Sequence, residues 1–323
     1  MSGASIAYSE TTASRPIRGF PAYAWSILIY NLAVILWGAL VRATGSGAGC
    51  GGSWPLCNGD VLPVNPQIAT MIEFVHRAMS GVALVTAVIL AVWGWKAYPS
   101  KYPARKHPAR KWAVLSLVFM LTEALIGAAL VLLGHVAKNE SVGRVFSLSM
   151  HLINTFLLLA SLALTAWWSQ RSTDECHEKP TRDGRGQLAI GIVAMVLVAM
   201  AGVITALGDT LFPAHSLRQG IADDFAATAS FLIRLRVIHP ALAVTAAIYI
   251  AVLAMRQFRA TAAGPLRTLS ATLLALLATQ VLAGTLTLLL KAPLAMQLVH
   301  LLVADVLWIT LVLFASERKR ANV

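Results

Sequence analysis

The sequence predicts an all-α, polytopic membrane protein whose eight transmembrane helices form two related four-helix bundles. Three observations predict it: a composition too apolar for water, eight apolar runs of spanning length, and an internal repeat carrying histidines at matched positions. Of 323 residues, 58% are hydrophobic and 12% are charged, and the mean hydropathy is +0.71. A soluble chain of this size needs more charge to cover its surface. The net charge of +12 would suit nucleic acid. The basic residues, however, stand in short runs between apolar segments, as in membrane loops, and this excludes nucleic acid as a partner.

The apolar runs lie near Tyr23–Val41, Ile72–Trp93, Ala113–Gly134, Val145–Trp167, Leu188–Leu207, Val237–Met255, Leu269–Leu290 and Ala295–Ala315. Each is close to the roughly 20 residues that cross a bilayer. The polar stretch before Tyr23 lacks a short apolar core followed by a small-residue cleavage site, so the first run reads as an uncleaved anchor. Lysine and arginine set the orientation. Arg15 and Arg18, Lys96 to Lys111, Arg171 to Arg185, Arg256 to Arg267 and Arg318 to Arg320 hold most of the 26 basic residues. The positive-inside preference then puts both termini in the cytoplasm. Cysteine placement agrees. Cys50 and Cys57 fall in the first outer loop, where a disulfide can persist, and Cys176 in a cytoplasmic loop, where a thiol stays reduced. The expected location is the bacterial inner membrane, with lipid against every span.

The chain repeats itself. Gly45 and Gly208 close the first helix of each half, and His76 and His239 stand near the start of the second, both pairs 163 residues apart. Glu123-Ala-Leu-Ile-Gly127 parallels Gln280-Val-Leu-Ala-Gly284 at an offset of 157, and His151-Leu152 parallels His300-Leu301 at 149. The offset falls where the second half has shorter loops. The organisation expected is a tail over 1–19, a first bundle over 20–170, a charged linker over 171–186, a second bundle over 187–316 and a tail over 317–323.

Short loops favour an up-down-up-down bundle, in which the second and fourth helices are diagonal and parallel. His76 then faces His151, and His239 faces His300, at matching depth near the outer surface. An imidazole at membrane depth needs a partner. Two of them converging from diagonal helices suit bis-histidine ligation of a haem iron. Four histidines paired twice outweigh the alternative, that each makes an interhelical hydrogen bond. No third nitrogen, thiolate or carboxylate ligand recurs in both halves, which disfavours copper or zinc. His107, His135, His177 and His215 have no repeat partner and read as surface or interfacial residues.

Differences between the halves locate the chemistry. Glu73 stands one turn before His76, where the second half has Arg236. Arg42 is matched by Thr205, and Cys50 and Cys57 by Pro213 and Gly220. A carboxylate beside a haem ligand can take protons or stabilise positive charge; the competing reading is an ion pair with Arg77, four residues on. The first half is thus expected to act on a haem-like substrate, and the second to keep a permanent electron-transfer haem. Glu123 and Asp305, intramembrane carboxylates without repeat counterparts, read as interhelical hydrogen-bonding groups.

The runs Trp37-Gly-Ala-Leu-Val-Arg-Ala-Thr-Gly-Ser-Gly47, Cys50-Gly-Gly-Ser-Trp-Pro-Leu-Cys57 and Glu73-Phe-Val-His-Arg77 resemble the signatures of the haem A synthase family. His151-Leu152, His239-Pro240 and His300-Leu301 fall where that family has its remaining ligands. The resemblance implies an oxidoreductase that oxidises the C8 methyl group of haem O to a formyl group, giving haem A for terminal oxidase assembly. It implies haem O between His76 and His151, haem B as cofactor between His239 and His300, and Glu73 as the catalytic residue. It makes Cys50–Cys57 a disulfide implicated in turnover or haem delivery, with Arg42 and Arg77 in support. The partners it implies are haem O synthase (protohaem farnesyltransferase) and oxidase assembly factors; homo-oligomerisation is left open. One departure stands out. Some members carry a second cysteine pair between the fifth and sixth helices, and this chain, with three cysteines in all, has none. Two other classes compete: a dihaem b-type electron carrier, which would place its haems at opposite membrane faces, and a repeat-built transporter, which should show broken helices near the midplane.

Overall fold

The computed structural model describes residues 18–64, 66–98, 107–171 and 185–321. Among these, eight helices are long and apolar enough to cross a membrane. They are α1 (Phe20–Ala43), α2 (Ile68–Ala97), α3 (Pro108–Leu132), α4 (Val142–Trp168), α5 (Arg185–Leu211), α8 (Ile238–Ala260), α9 (Pro265–Leu289) and α10 (Leu294–Ala321). Two short helices, α6 (Leu217–Asp224) and α7 (Phe231–Arg234), fill the connection between α5 and α8. The sixth apolar span runs from Phe231 to Ala260, so α7 forms its first turn. Cys176 and His177 lie outside the described residues.

Packing follows the order of the chain. Helix α1 packs on α2 and α4, α2 on α3, and α3 on α4; likewise α5 packs on α8 and α10, α8 on α9, and α9 on α10. Helices α4 and α10 meet each other as well, and α1 and α5 reach across the same seam. Burial is densest on these two central helices, over Phe156–Trp168 and Leu307–Ala315. There the Trp308 ring stacks on Phe156 with centroids 4.6 Å apart, and its indole N–H donates to the Phe156 carbonyl at 2.8 Å. Elsewhere large apolar side chains such as Val85, Leu125 and Ile248 face outward. Lipid solvates that surface, so these helices need no polar stripe.

The helix ends explain two departures from the apolar pattern. His107 is buried rather than interfacial, at 5% exposure. Its Nδ1 accepts the Ala109 N–H at 3.2 Å as the N-cap of α3, and its ring stacks on Tyr98. Helix α10 continues to Ala321, beyond the last apolar residues. Glu317 extends it: the carboxylate accepts the Trp167 indole N–H at 2.7 Å and pairs with Arg171 at 2.8 Å.

Candidate functional site

Each of the four repeat histidines lies toward the N-terminal end of its span and packs against a glycine of the preceding spanning helix. A Cβ on Gly38 would come within 2.9 Å of the His76 ring, on Gly202 within 3.0 Å of His239, on Gly284 within 3.0 Å of His300, and on Gly127 within 3.9 Å of His151. At three of these glycines an imidazole occupies the space a side chain would fill. Gly127 and Gly284 sit in the repeated segment already noted, whereas Gly38 and Gly202 are 164 residues apart, one out of step with their histidines.

The rings of His239 and His300 lie 6.3 Å apart, centre to centre, with planes at 89°. A metal held by both rings through nitrogen bonds of about 2 Å each would fit that separation. In the first half, His76 and His151 are close enough to interact electrostatically. Nδ1 of His76, His151 and His300 is buried with no hydrogen-bond partner; that of His239 faces the Val198 carbonyl at 3.0 Å. Buried imidazole nitrogens without partners are costly unless something else binds the ring. Paired imidazoles of this kind fit a bis-histidine haem.

Around the first pair, the loop between α1 and α2 is tied down by Glu73. Its carboxylate is 3% exposed as a residue, accepts the Cys50 backbone N–H at 2.8 Å through Oε2, and pairs through Oε1 with Arg77 at 2.6 Å. Arg77 in turn donates to the carbonyls of Ser53 at 2.7 Å and Leu56 at 2.6 Å. The ion pair expected from the i, i+4 spacing is therefore present, with a loop contact that spacing could not show. Cys50 and Cys57 form a disulfide. Gly49 lets this loop lie on α2: a Cβ there would sit 2.5 Å from the Ala69 carbonyl carbon, and Thr70 donates to the Gly49 carbonyl at 2.8 Å.

The equivalent position in the second half works with opposite charge. Arg236 binds Asp209, at the end of α5, and Asp224, at the end of α6, both at 2.9 Å. Arg42, expected in a supporting role, reaches toward the second half. It donates to the Ala206 carbonyl at 2.8 Å and Thr210 Oγ1 at 2.9 Å on α5, and to Gln297 Oε1 at 3.0 Å on α10. A guanidinium presents a rigid fork of donors, and here the nearest acceptors lie across the seam.

Glu123 makes the interhelical bonds expected of it, accepting from the Asn154 amide and the Thr155 hydroxyl of α4. Asp305 does not: it is 1% exposed and its Oδ2 has no hydrogen-bond partner. His135 faces Ser147 Oγ at 2.8 Å, and His215 lends its carbonyl to Lys291 at 3.3 Å. The functional residues that sequence reasoning missed are Gly38, Gly202, Asn154 and Thr155, none of which is chemically conspicuous in the sequence.

Comparison with known proteins agrees with this architecture. Residues 21–312 match the model of the COX15-CtaA family, described as cytochrome oxidase assembly protein. Over 300 residues, 91% of this chain, it is 43% identical to a protoheme IX farnesyltransferase of Thermus thermophilus, covering 48% of that protein. It is 37% identical over 130 residues, 40% of this chain, to a heme A synthase of Halalkalibacterium halodurans, covering 41% of that protein. It is 41% identical over 133 residues, 41% of this chain, to a heme A synthase of Bacillus mycoides, covering 40% of that protein. The chain thus spans about half, or less, of the length of the curated relatives it matches. With its eight apolar helices the protein is a multi-pass membrane protein, of the inner membrane in bacteria, and it belongs to the COX15-CtaA family of cytochrome oxidase assembly proteins.

Proposed function

We propose that the protein is a haem A synthase, an oxidoreductase that converts the C8 methyl group of haem O to a formyl group. The observation that carries this reading is the doubled histidine pair, each ring set against a glycine, in a chain with heme A synthase relatives. Haem O is the substrate between His76 and His151, and His239 and His300 hold haem B. Residues 20–170 and 187–316 are then two bundles related by the repeat, with the tails at 1–19 and 317–323 and the linker 171–186 on the cytoplasmic side.

Bound haem B supplies one-electron redox chemistry. The chain's own residues position the substrate. His76 and His151 hold the substrate's iron at fixed depth, and Gly38 gives the His76 ring its place. The Cys50–Cys57 loop, drawn down by Glu73 and Arg77, covers the outer end of this half and limits the access of water. We read Glu73 as the base that takes a proton released as the methyl group is oxidised, the electrons passing to an acceptor outside this chain. Haem O synthase and oxidase assembly factors are the partners this activity requires, to supply the substrate and to take the product.

The name protoheme IX farnesyltransferase belongs to a relative matched over less than half of its length. Prenyl transfer needs carboxylates that hold a diphosphate through a divalent cation. Among the described residues, the acidic pair Asp209 and Asp224 is already ion-paired with Arg236 through both carboxylates. A dihaem electron carrier is disfavoured because both histidine pairs lie toward the same ends of their helices.

Glu73→Gln tests the catalytic role. Gln keeps the size and one acceptor but neither charge nor proton uptake. The variant should insert, keep haem B, and accumulate haem O or a partly oxidised product with little haem A, read by chromatography and mass of extracted pigment. Normal haem A per retained haem B would return Glu73 to the role of loop anchor.

A further inference from the structure

The third helix of each half sends one polar side chain toward the histidine of the fourth, and the two halves differ there. In the first half it is Glu123, whose Oε1 stands 3.5 Å from His151 Nδ1. In the second it is Gln280, whose Nε2 stands 3.4 Å from His300 Nε2. Glu123 is held from two sides, by Asn154 and Thr155. Asn154 is itself fixed, donating to the Phe119 carbonyl at 2.8 Å and accepting from Thr122 at 2.6 Å. At the 149-residue offset that aligns His151 with His300, the positions matching Asn154 and Thr155 are Val303 and Ala304. Gln280 has no such holders, and its Oε1 is buried without a partner. The carboxylate and its cradle are confined to the half that differs chemically.

At 3.5 Å the Glu123 contact is beyond a firm hydrogen bond, and His151 Nδ1 accordingly has no hydrogen-bond partner. Once Nε2 binds a metal, Nδ1 must carry the ring proton, and the acceptor facing it is Glu123. A carboxylate behind a ligating histidine fixes the ring and raises its basicity. We propose that Glu123 is the positioning residue of the substrate-side ligand: held by Asn154 and Thr155, it accepts the Nδ1 proton of His151 and makes that haem site the more electron-rich of the two. This rests on the reading that His76 and His151 hold the substrate haem.

The potential of each haem tests it. The full chain, purified in detergent and supplied with haem O, is titrated spectroelectrochemically, and the substrate-side signal is the one that His76→Ala removes. Glu123→Gln should keep both haems and favour reduction of the substrate-side haem about tenfold, which is about 59 mV for one electron. The haem between His239 and His300 should stay where it was. Glu123→Asp, which keeps the charge, should recover part of the shift. If Glu123→Gln fails to fold, Thr155→Val removes one holder and should move the same haem in the same direction by a smaller amount. An unchanged substrate-side potential in a haem-loaded variant overturns the inference, as does a shift confined to the other haem. A wild-type chain that binds haem B alone, or no haem, overturns the two-site reading itself.

Discussion

The connections between the first two spans of each half are fastened at the same repeat position by side chains of opposite charge. In the first half Glu73 reaches the Cys50 N–H and Arg77; in the second, Arg236 reaches Asp209 and Asp224. Anchoring is thus a property of the position, whereas the sign of the charge is a property of the half. A carboxylate there can serve as both anchor and base. A guanidinium cannot take a proton. On the proposed function this difference, more than the burial of Glu73, is what would separate a reacting half from a storing half.

The largest effect expected is on the histidines. His239→Ala or His300→Ala should abolish the haem B signal, while His76→Ala or His151→Ala should remove only haem O and its products. Haem extraction from the four variants checks this, and equal pigment in all of them would end the two-site comparison. The glycines should sharpen it. Gly38→Ala, Gly202→Ala and Gly284→Ala each press a Cβ to 2.9–3.0 Å from a ligating ring and should cut occupancy of their own site several-fold. Gly127→Ala, with 3.9 Å of room, should leave haem content near wild type.

A smaller effect is expected at the second anchor. Arg236→Ala leaves Asp209 and Asp224 facing each other without their cation, and should cost about 3 kcal/mol, seen as a lower Tm in detergent. Haem A formation per folded molecule should persist. If turnover vanishes while stability holds, the second half is not merely a store. The smallest effect belongs to the disulfide. Closing a short ring, it contributes about 2 kcal/mol by chain entropy. Cys57→Ser should cost no more than that in a thermal melt, because Arg77 still holds Ser53 and Leu56.

Much of this was legible in the sequence. The eight spans follow from apolar length alone, and the histidines from their offsets. The Glu73–Arg77 pair follows from helical spacing. What stayed hidden depends on contacts far apart in sequence. Helix α10 outlasts its apolar run because Glu317 finds Trp167 and Arg171, about 150 residues earlier. Gly38 and Gly202 escape a repeat search because they stand one residue out of register. Asn154 and Thr155 look like ordinary polar residues until the third helix is laid beside the fourth. Arg42 stands beside the first-half motifs in sequence, yet its acceptors belong to the other half.

That last contact bears on how the protein is made. Arg42 lies in the last turn of α1, and one of its acceptors, Gln297, lies on α10, 255 residues later. At roughly 5–20 residues per second, the guanidinium waits on the order of tens of seconds for its full set of acceptors. Until α5 inserts, it must rest on water or headgroups, and its second terminal nitrogen gains Gln297 only with α10. The first half can therefore enter the membrane early but cannot finish its outer end alone, so two halves expressed as separate chains should find each other through this arginine or leave it stranded.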